Sequence, residues 1–263
     1  MIDSHCHLDD PRLAADRAQV LWRARARGVT DIVVPAVDRA SWARLRELCA
    51  TGAPWCHPAV GVHPVALVDA PGGSDEALLD ALDTEARRPG TVGIGECGLD
   101  TTVDLGRAPL ARQERILSAQ LDLARALGLP LVLHARGPGC YVRLLDFLEA
   151  RPIGPAGGVL HSYGGGAELL RRYLELPLSF GFAGPATYVT AHKVRSSIRM
   201  VPAALLLAET DAPDQTPEPH RPGRNEPAFV AEVIAGLAAA RGEDPVGVAQ
   251  VTAQNARRLF RLG

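Results

Sequence analysis

No Cys-x-x-Cys pair occurs anywhere in the 263 residues, and the five cysteines (Cys6, Cys49, Cys56, Cys97 and Cys140) are odd in number. That excludes a zinc ribbon and argues against a disulfide framework, leaving small buried or half-buried thiols. No apolar run approaches the roughly 20 residues of a membrane span, and the first residues lack the basic-then-apolar layout of a signal peptide. A cytoplasmic protein without membrane association is expected. Positive charge is not in surplus either. The net charge is −2 and the pI near 6.4, so a nucleic-acid partner would have to be held locally and not by a broad basic surface. No Gly-x-Gly-x-x-Gly follows the first extended segment, which weighs against a dinucleotide-binding sheet. No low-complexity linker or internal repeat divides the chain. Residues 1–263 therefore read as one domain, with no obligate protein partner implied and the oligomeric state left open.

What is present is alternation. Hydrophobic residues make up 47% and charged residues 22%, an ordinary globular balance. An opening strand over residues 1–9 is followed by strands expected at 31–36, 55–62, 91–96, 130–134, 157–161, 178–181 and 203–209. Helical spacing of apolar residues marks 11–27, 41–49, 74–88, 110–127, 141–150, 167–176, 191–200, 226–240 and 245–260. Gly28 is a C-cap candidate and Ser74 an N-cap candidate. The run Leu205-Leu206-Leu207 suits a parallel strand buried on both faces. Strand and helix alternating about eight times with short connections predicts an α/β (β/α)₈ TIM barrel.

Chemistry-bearing residues recur at the C-terminal ends of these strands. His5 and His7 lie two apart on the opening segment, so both project from one face and can grip one ion, while Cys6 points away. His63 follows the third strand, Glu96 ends the fourth, His134 the fifth and His161 the sixth, and Asp211 follows the eighth. Each has a dull alternative, such as a turn at His63, an ion pair at Glu96 or a loop cap at Asp211. Their shared type and position make a common site the better reading, because strand ends of a barrel converge on its mouth. Four histidines and two carboxylates exceed what one tetrahedral ion needs, and a Glu between histidine groups can bridge two ions, so two divalent metal ions are expected. Magnesium, manganese and zinc all suit such ligands. Asp211 is the preferred general base, able to ligate a metal and accept a proton from water.

Six stretches carry a family resemblance. Ile2-Asp3-Ser4-His5-Cys6-His7, Gly61-Val62-His63-Pro64, Gly95-Glu96-Cys97-Gly98-Leu99-Asp100, Leu133-His134-Ala135-Arg136, His161-Ser162-Tyr163-Gly164-Gly165 and Glu209-Thr210-Asp211-Ala212-Pro213 resemble the successive signatures of the TatD family of metal-dependent hydrolases. The resemblance implies a distorted TIM barrel of the amidohydrolase superfamily and a magnesium- or manganese-supported deoxyribonuclease, often a 3′ exonuclease, with DNA as substrate. It also implies that His5, His7 and Asp211 hold one metal, that His134 and His161 hold the other, and that Glu96 bridges them, with His63 a substrate contact. Arg136, Lys193 and Arg224 fall where the family often carries basic residues and are candidate substrate contacts. Two departures bear on substrate preference. Thr101-Thr102 stand where the family commonly has an aromatic, and His-Ser-Tyr-Gly-Gly replaces His-x-Phe-Ser-Gly, making Tyr163 a candidate stacking surface for a base. Two other functions compete with DNA hydrolysis: a metallohydrolase of a small ester, amide or lactone on the same fold, and a non-catalytic metal-binding protein. The last is disfavoured because structural metal sites are usually closed by cysteines.

Overall fold

Eight parallel strands follow one another in chain order around a single sheet: β1 (Ile2–Asp3), β2 (Asp31–Pro35), β3 (Cys56–Val60), β4 (Gly93–Asp100), β5 (Leu131–Arg136), β6 (Gly158–Leu160), β7 (Leu178–Phe182) and β8 (Leu206–Ala208). The structure is a computed structural model in which residues 1–52, 54–70 and 74–263 are described. Helices α1 (Pro11–Ala14), α2 (Arg17–Ala26), α3 (Arg39–Glu47), α4 (Ala66–Asp69), α5 (Asp75–Ala86) and α6 (Leu110–Leu127) make the crossovers of the first half. In the second half these are α7 (Cys140–Ala150), α8 (Ala167–Tyr173), α9 (His192–Met200), α10 (Val230–Arg241) and α11 (Pro245–Phe260). Beyond the ladder ends of β1 and β8, Ser4 N–H donates to Ala208 O (3.1 Å), Asp211 N–H to His5 O (2.9 Å) and His7 N–H to Ala212 O (2.8 Å). These bonds close the ring, giving the (β/α)₈ TIM barrel.

Period-two alternation sorts each strand between two apolar layers. Ile32, Val34, Leu131, Leu133 and Leu160 face outward into the large core between sheet and helices. Ile2, Val33, Ala59, Val132, Val159 and Leu207 face inward and cluster with Ala253, Ala256, Phe260 and Leu262, so the C-terminal segment plugs the barrel floor. One inward step above this floor come His134, from Val132, and His161, from Val159; two steps above come His63, from Ala59, and Asp211, from Leu207. For these four residues the apolar floor and the polar mouth belong to one strand parity, whereas His5 and His7 do not share the parity of inward Ile2, and Glu96 does not follow from outward Ile94 by simple alternation.

Several expected elements differ. The fourth strand runs on to Asp100, so Glu96 lies within β4 and not at its end, and the helix expected from residue 226 starts at Val230 after a 3₁₀ turn, Pro227–Phe229. The opening strand ends at Asp3 and not at residue 9, although Cys6 N–H still donates to Val33 O (3.1 Å), which keeps the segment extended between β2 and β8. The helix expected over 11–27 is broken at Ala15-Asp16, where the Asp16 carboxylate accepts from Arg224 (2.7 Å) and Arg23 (3.3 Å). The strand expected from residue 203 begins as a 3₁₀ turn, Ala203–Leu205, because Asn255 of α11 donates to Ala203 O (2.7 Å) and Leu206 O (2.9 Å). No helix among the described residues is long and apolar enough to cross a membrane.

Backbone also approaches closely near the mouth where the segment after β3 meets β4. A Cβ on Gly61 would lie 2.5 Å from the Gly95 Cα and carbonyl carbon, a backbone obstacle that cannot rotate away. Gly61→Ala is expected to lower stability by about 1–3 kcal/mol, the usual cost of overpacking. Urea unfolding monitored by circular dichroism checks this, and a midpoint equal to the parent's would contradict the packing argument.

Candidate metal centre

Glu96 sits in β4 at a register shift between Gly95 and Cys97, and its N–H donates to Ala36 O (3.0 Å). That irregularity turns the side chain inward at a height where five imidazoles meet it. Oε2 lies 3.4 Å from His5 Nε2 and 3.3 Å from His7 Nε2. Oε1 lies 2.7 Å from His161 Nε2, 2.8 Å from His134 Nδ1 and 3.6 Å from His63 Nε2. Asp211 enters from the loop after β8 with φ of +55°, a left-handed conformation that aspartate tolerates better than most residues. Its Oδ1 is 3.5 Å from both His5 Nε2 and His7 Nε2.

These distances suit a cation. His5 Nε2 and His7 Nε2 are 3.3 Å apart, so five of the six separations among His5, His7, Glu96 Oε2 and Asp211 Oδ1 fall between 3.3 and 3.5 Å. A tetrahedron with such edges has its centre about 2.0–2.1 Å from each corner, the length of a zinc–nitrogen or zinc–oxygen bond. A second group gathers on the other carboxylate oxygen. His134 Nδ1 and His161 Nε2 are 3.2 Å apart, both within 2.8 Å of Oε1. The sets His5, His7, Glu96 and His63, Glu96, His134 each bring ligand atoms within 4.8 Å of one another. Neutral imidazole nitrogens packed this closely repel unless a proton or metal lies between them, so the donor chemistry fits metal binding.

Carboxylates behind the histidines orient them. Asp100 Oδ2 is 3.2 Å from His134 Nε2, fixing Nδ1 as the atom that faces Glu96. Burial raises the Asp100 pKa, but the hydrogen bonds from His134, Thr102 Oγ1 (2.6 Å) and Thr102 N–H (2.7 Å) outweigh it and bring it down to about 2. His161 stacks on His5 with ring centroids 4.0 Å apart, and its Nδ1 lies 3.7 Å from buried Glu209. Asp3 accepts from Thr210 N–H (2.9 Å) and Thr210 Oγ1 (2.5 Å), yet burial pushes its carboxyl up to about 8. Burial opposes charge on His7 as well. There Asp211 and Glu96 prevail and raise its pKa to about 10. Glu96 is held well below the usual range, because surrounding histidines overcome its burial. His63 goes the other way. Burial lowers it to about 3, and Nδ1 accepts the Val65 N–H (3.0 Å), leaving a neutral ring with Nε2–H toward the mouth.

Comparison with known proteins agrees with this geometry. The profile of the family described as TatD related DNase matches residues 2–261. The chain belongs to the TatD family. It is accordingly a metal-dependent hydrolase. It is 36% identical over 262 residues to the Escherichia coli (strain K12) protein called uncharacterized metal-dependent hydrolase YjjV, covering 99% of this chain and 98% of that one. It is 34% identical over 268 residues to the 3′-5′ ssDNA/RNA exonuclease TatD of Rahnella sp. (strain Y9602), covering 100% and 98%. The crystal structure of the E. coli YjjV protein superposes with a TM-score of 0.90 at 33% identity, covering 100% and 98% of the two chains.

The seven residues singled out at strand ends converge in this TatD barrel; the outer candidates do not join them. Tyr163 is 1% exposed, its ring packs edge-on against Tyr141, Tyr173, Phe180 and Phe182, and its hydroxyl donates to Gly166 O (3.1 Å). It is a core residue and not a stacking surface at the mouth. The preceding Ser162 has φ of +46°, which breaks the strand alternation and swings residue 163 away from the side His161 faces. Arg224 spends its donors on Arg12 O (2.7 Å) and Asp16 (2.7 Å), tying the loop after β8 to the α1–α2 break, which is a structural role. Arg136 is exposed at the end of β5, and Lys193 is exposed on α9 with its Cε beside Gly166. Both remain at the rim. Sequence reasoning missed Asp3, Asp100, Glu209 and Gln215. The first three share the period-two parity of a candidate ligand, namely His5, Glu96 and Asp211, and that was the available signal.

The raised pKa values of His7, His134 and His161 have a consequence for metal uptake. His7 keeps its proton below about pH 10 in the metal-free protein, so a metal must displace it, and affinity should rise as pH increases toward that value. Calorimetric titration of the metal-free protein at pH 7.5, in buffers of different ionisation enthalpy, should show net proton release. Heats independent of buffer would contradict the assignment.

Proposed function

We propose that the chain acts as a single catalytic domain, residues 1–263, in the cytoplasm, hydrolysing DNA phosphodiesters from a 3′ end with two divalent ions. The observation that carries this reading is the division of donors between the two oxygens of Glu96, with His5, His7 and Asp211 on the Oε2 side and His134 and His161 on the Oε1 side. The unpaired thiols suit a reducing compartment, and the relative from Rahnella acts on single strands from the 3′ end by its name.

Bound divalent ions supply Lewis acidity to a phosphoryl oxygen and lower the pKa of a water held at the site. Glu96 stays ionised under its ring of histidines and holds both donor groups in register. Asp211, likewise kept ionised because His7 and the neighbouring imidazoles overcome its burial, accepts the proton of the attacking water. Neutral His63 donates from Nε2 to a substrate oxygen, a role its locked tautomer suits better than that of base. Arg136 and Lys193 at the rim contact phosphates of the strand outside the mouth. A barrel mouth admits a strand terminus more readily than a duplex flank.

The test is an activity panel of single-stranded DNA, duplex DNA, RNA and small esters with magnesium, manganese or zinc added. Release of mononucleotides from the 3′ end of single-stranded DNA is expected, abolished by chelation, and Asp211→Asn should reduce turnover about 10²–10⁴-fold while the fold persists. Intact DNA together with an ester or lactone hydrolysis that Asp211→Asn abolishes would replace this reading with that of a small-molecule metallohydrolase.

A further inference from the structure

The loop after β8 places one residue against Asp211 that no metal needs to touch. Gln215 donates a hydrogen bond from Nε2 to Asp211 Oδ2, the oxygen opposite the one facing His5 and His7. The same amide straddles the Ser162 hydroxyl, with Oγ 2.7 Å from Nε2 and 2.9 Å from Oε1. Four non-glycine residues among those described have positive φ, and Ser162 (+46°), Asp211 (+55°) and Gln215 (+51°) are three of them. Left-handed backbone persists where surrounding structure holds it, so its concentration along one hydrogen-bonded line marks a built arrangement. The surroundings are visible. A Cβ on Gly184 would overlap the Gln215 carbonyl, Tyr188 Oη donates to Thr216 O (2.8 Å), and Ser162 N–H donates to Glu209. The loops after β6 and β8 thus meet at this side chain, and the loop after β7 packs against its backbone.

We propose that Gln215 is the positioning residue for Asp211: its amide, braced by Ser162, occupies Oδ2 and commits Oδ1 alone to the metal beside His5 and His7. An N–H donor on Oδ2 stops the carboxylate rotating about its Cβ–Cγ bond and from presenting both oxygens to a cation. The inference rests on the assignment of Asp211 as a metal ligand.

Equilibrium competition between the metal-free protein and a chromogenic chelator for zinc, together with the visible spectrum of the cobalt(II)-loaded protein, tests it. Gln215→Leu should weaken one of the bound equivalents about 10–100-fold, the usual effect of removing a residue that orients a ligand. It should also alter the cobalt spectrum, with the far-ultraviolet circular dichroism unchanged. The same substitution made on top of Asp211→Asn should add little, since the interaction it removes runs through Asp211. Unchanged zinc affinity and cobalt spectrum in Gln215→Leu, with Asp211→Asn weakened, would overturn the positioning role alone. Equal losses from Gln215→Leu with and without Asp211→Asn would also overturn it, by showing a general structural effect. Full metal affinity in Asp211→Asn would instead remove the ligand assignment beneath it.

Discussion

A carboxylate that is 2% exposed and surrounded by imidazoles is the constraint to which the rest of this molecule answers. Burying an unpaired anion is too costly for any fold to tolerate without compensation. Glu96 is compensated from five directions, by His5, His7, His63, His134 and His161, each on a different strand end except the first two. No short segment could supply that shell. A closed ring of parallel strands can, because its C-terminal ends point at one another. The glycines around Glu96 follow from the same requirement, since Gly61 and Gly98 let neighbouring backbone approach where a side chain would collide.

Rigidity beneath the site comes from the floor. The inward residues Val132, Val159 and Leu207, sealed by Phe260 and Leu262, fix the strands that carry His134, His161 and Asp211 one or two inward steps higher. A second layer of carboxylates, Asp3, Asp100 and Glu209, separates this floor from the candidate ligands or backs them. Asp100 decides which nitrogen of His134 faces inward. Orientation of that kind commonly matters to a metal site about as much as ligand identity does.

Much of this is written locally in the sequence. Helices α6 and α11 appear over the residues where apolar periodicity placed them, 110–127 and 245–260. The strand-end residues His5, His7, His63, Glu96, His134, His161 and Asp211 could be picked out because barrel topology maps strand ends to one place. What was not legible depended on contacts between distant segments. The break at Asp16 is set by Arg224 and the late start of β8 by Asn255, partners more than 40 residues away. Tyr163 misled because it was read as standing in for a family aromatic at the mouth, whereas the left-handed Ser162 before it goes with a ring that is buried in the core. Gln215 carried no signal at all, since an amide in a proline-rich loop looks like any turn residue until Asp211 is beside it.

In the proposed function the two oxygens of Glu96 serve two different cations. Crystals of the protein loaded with manganese, measured at a wavelength where manganese scatters anomalously, test it most directly. Two anomalous peaks flanking Glu96 are expected, one among His5, His7 and Asp211 and the other against His134 and His161. A single peak, or two peaks on the same side of the carboxylate, would contradict it.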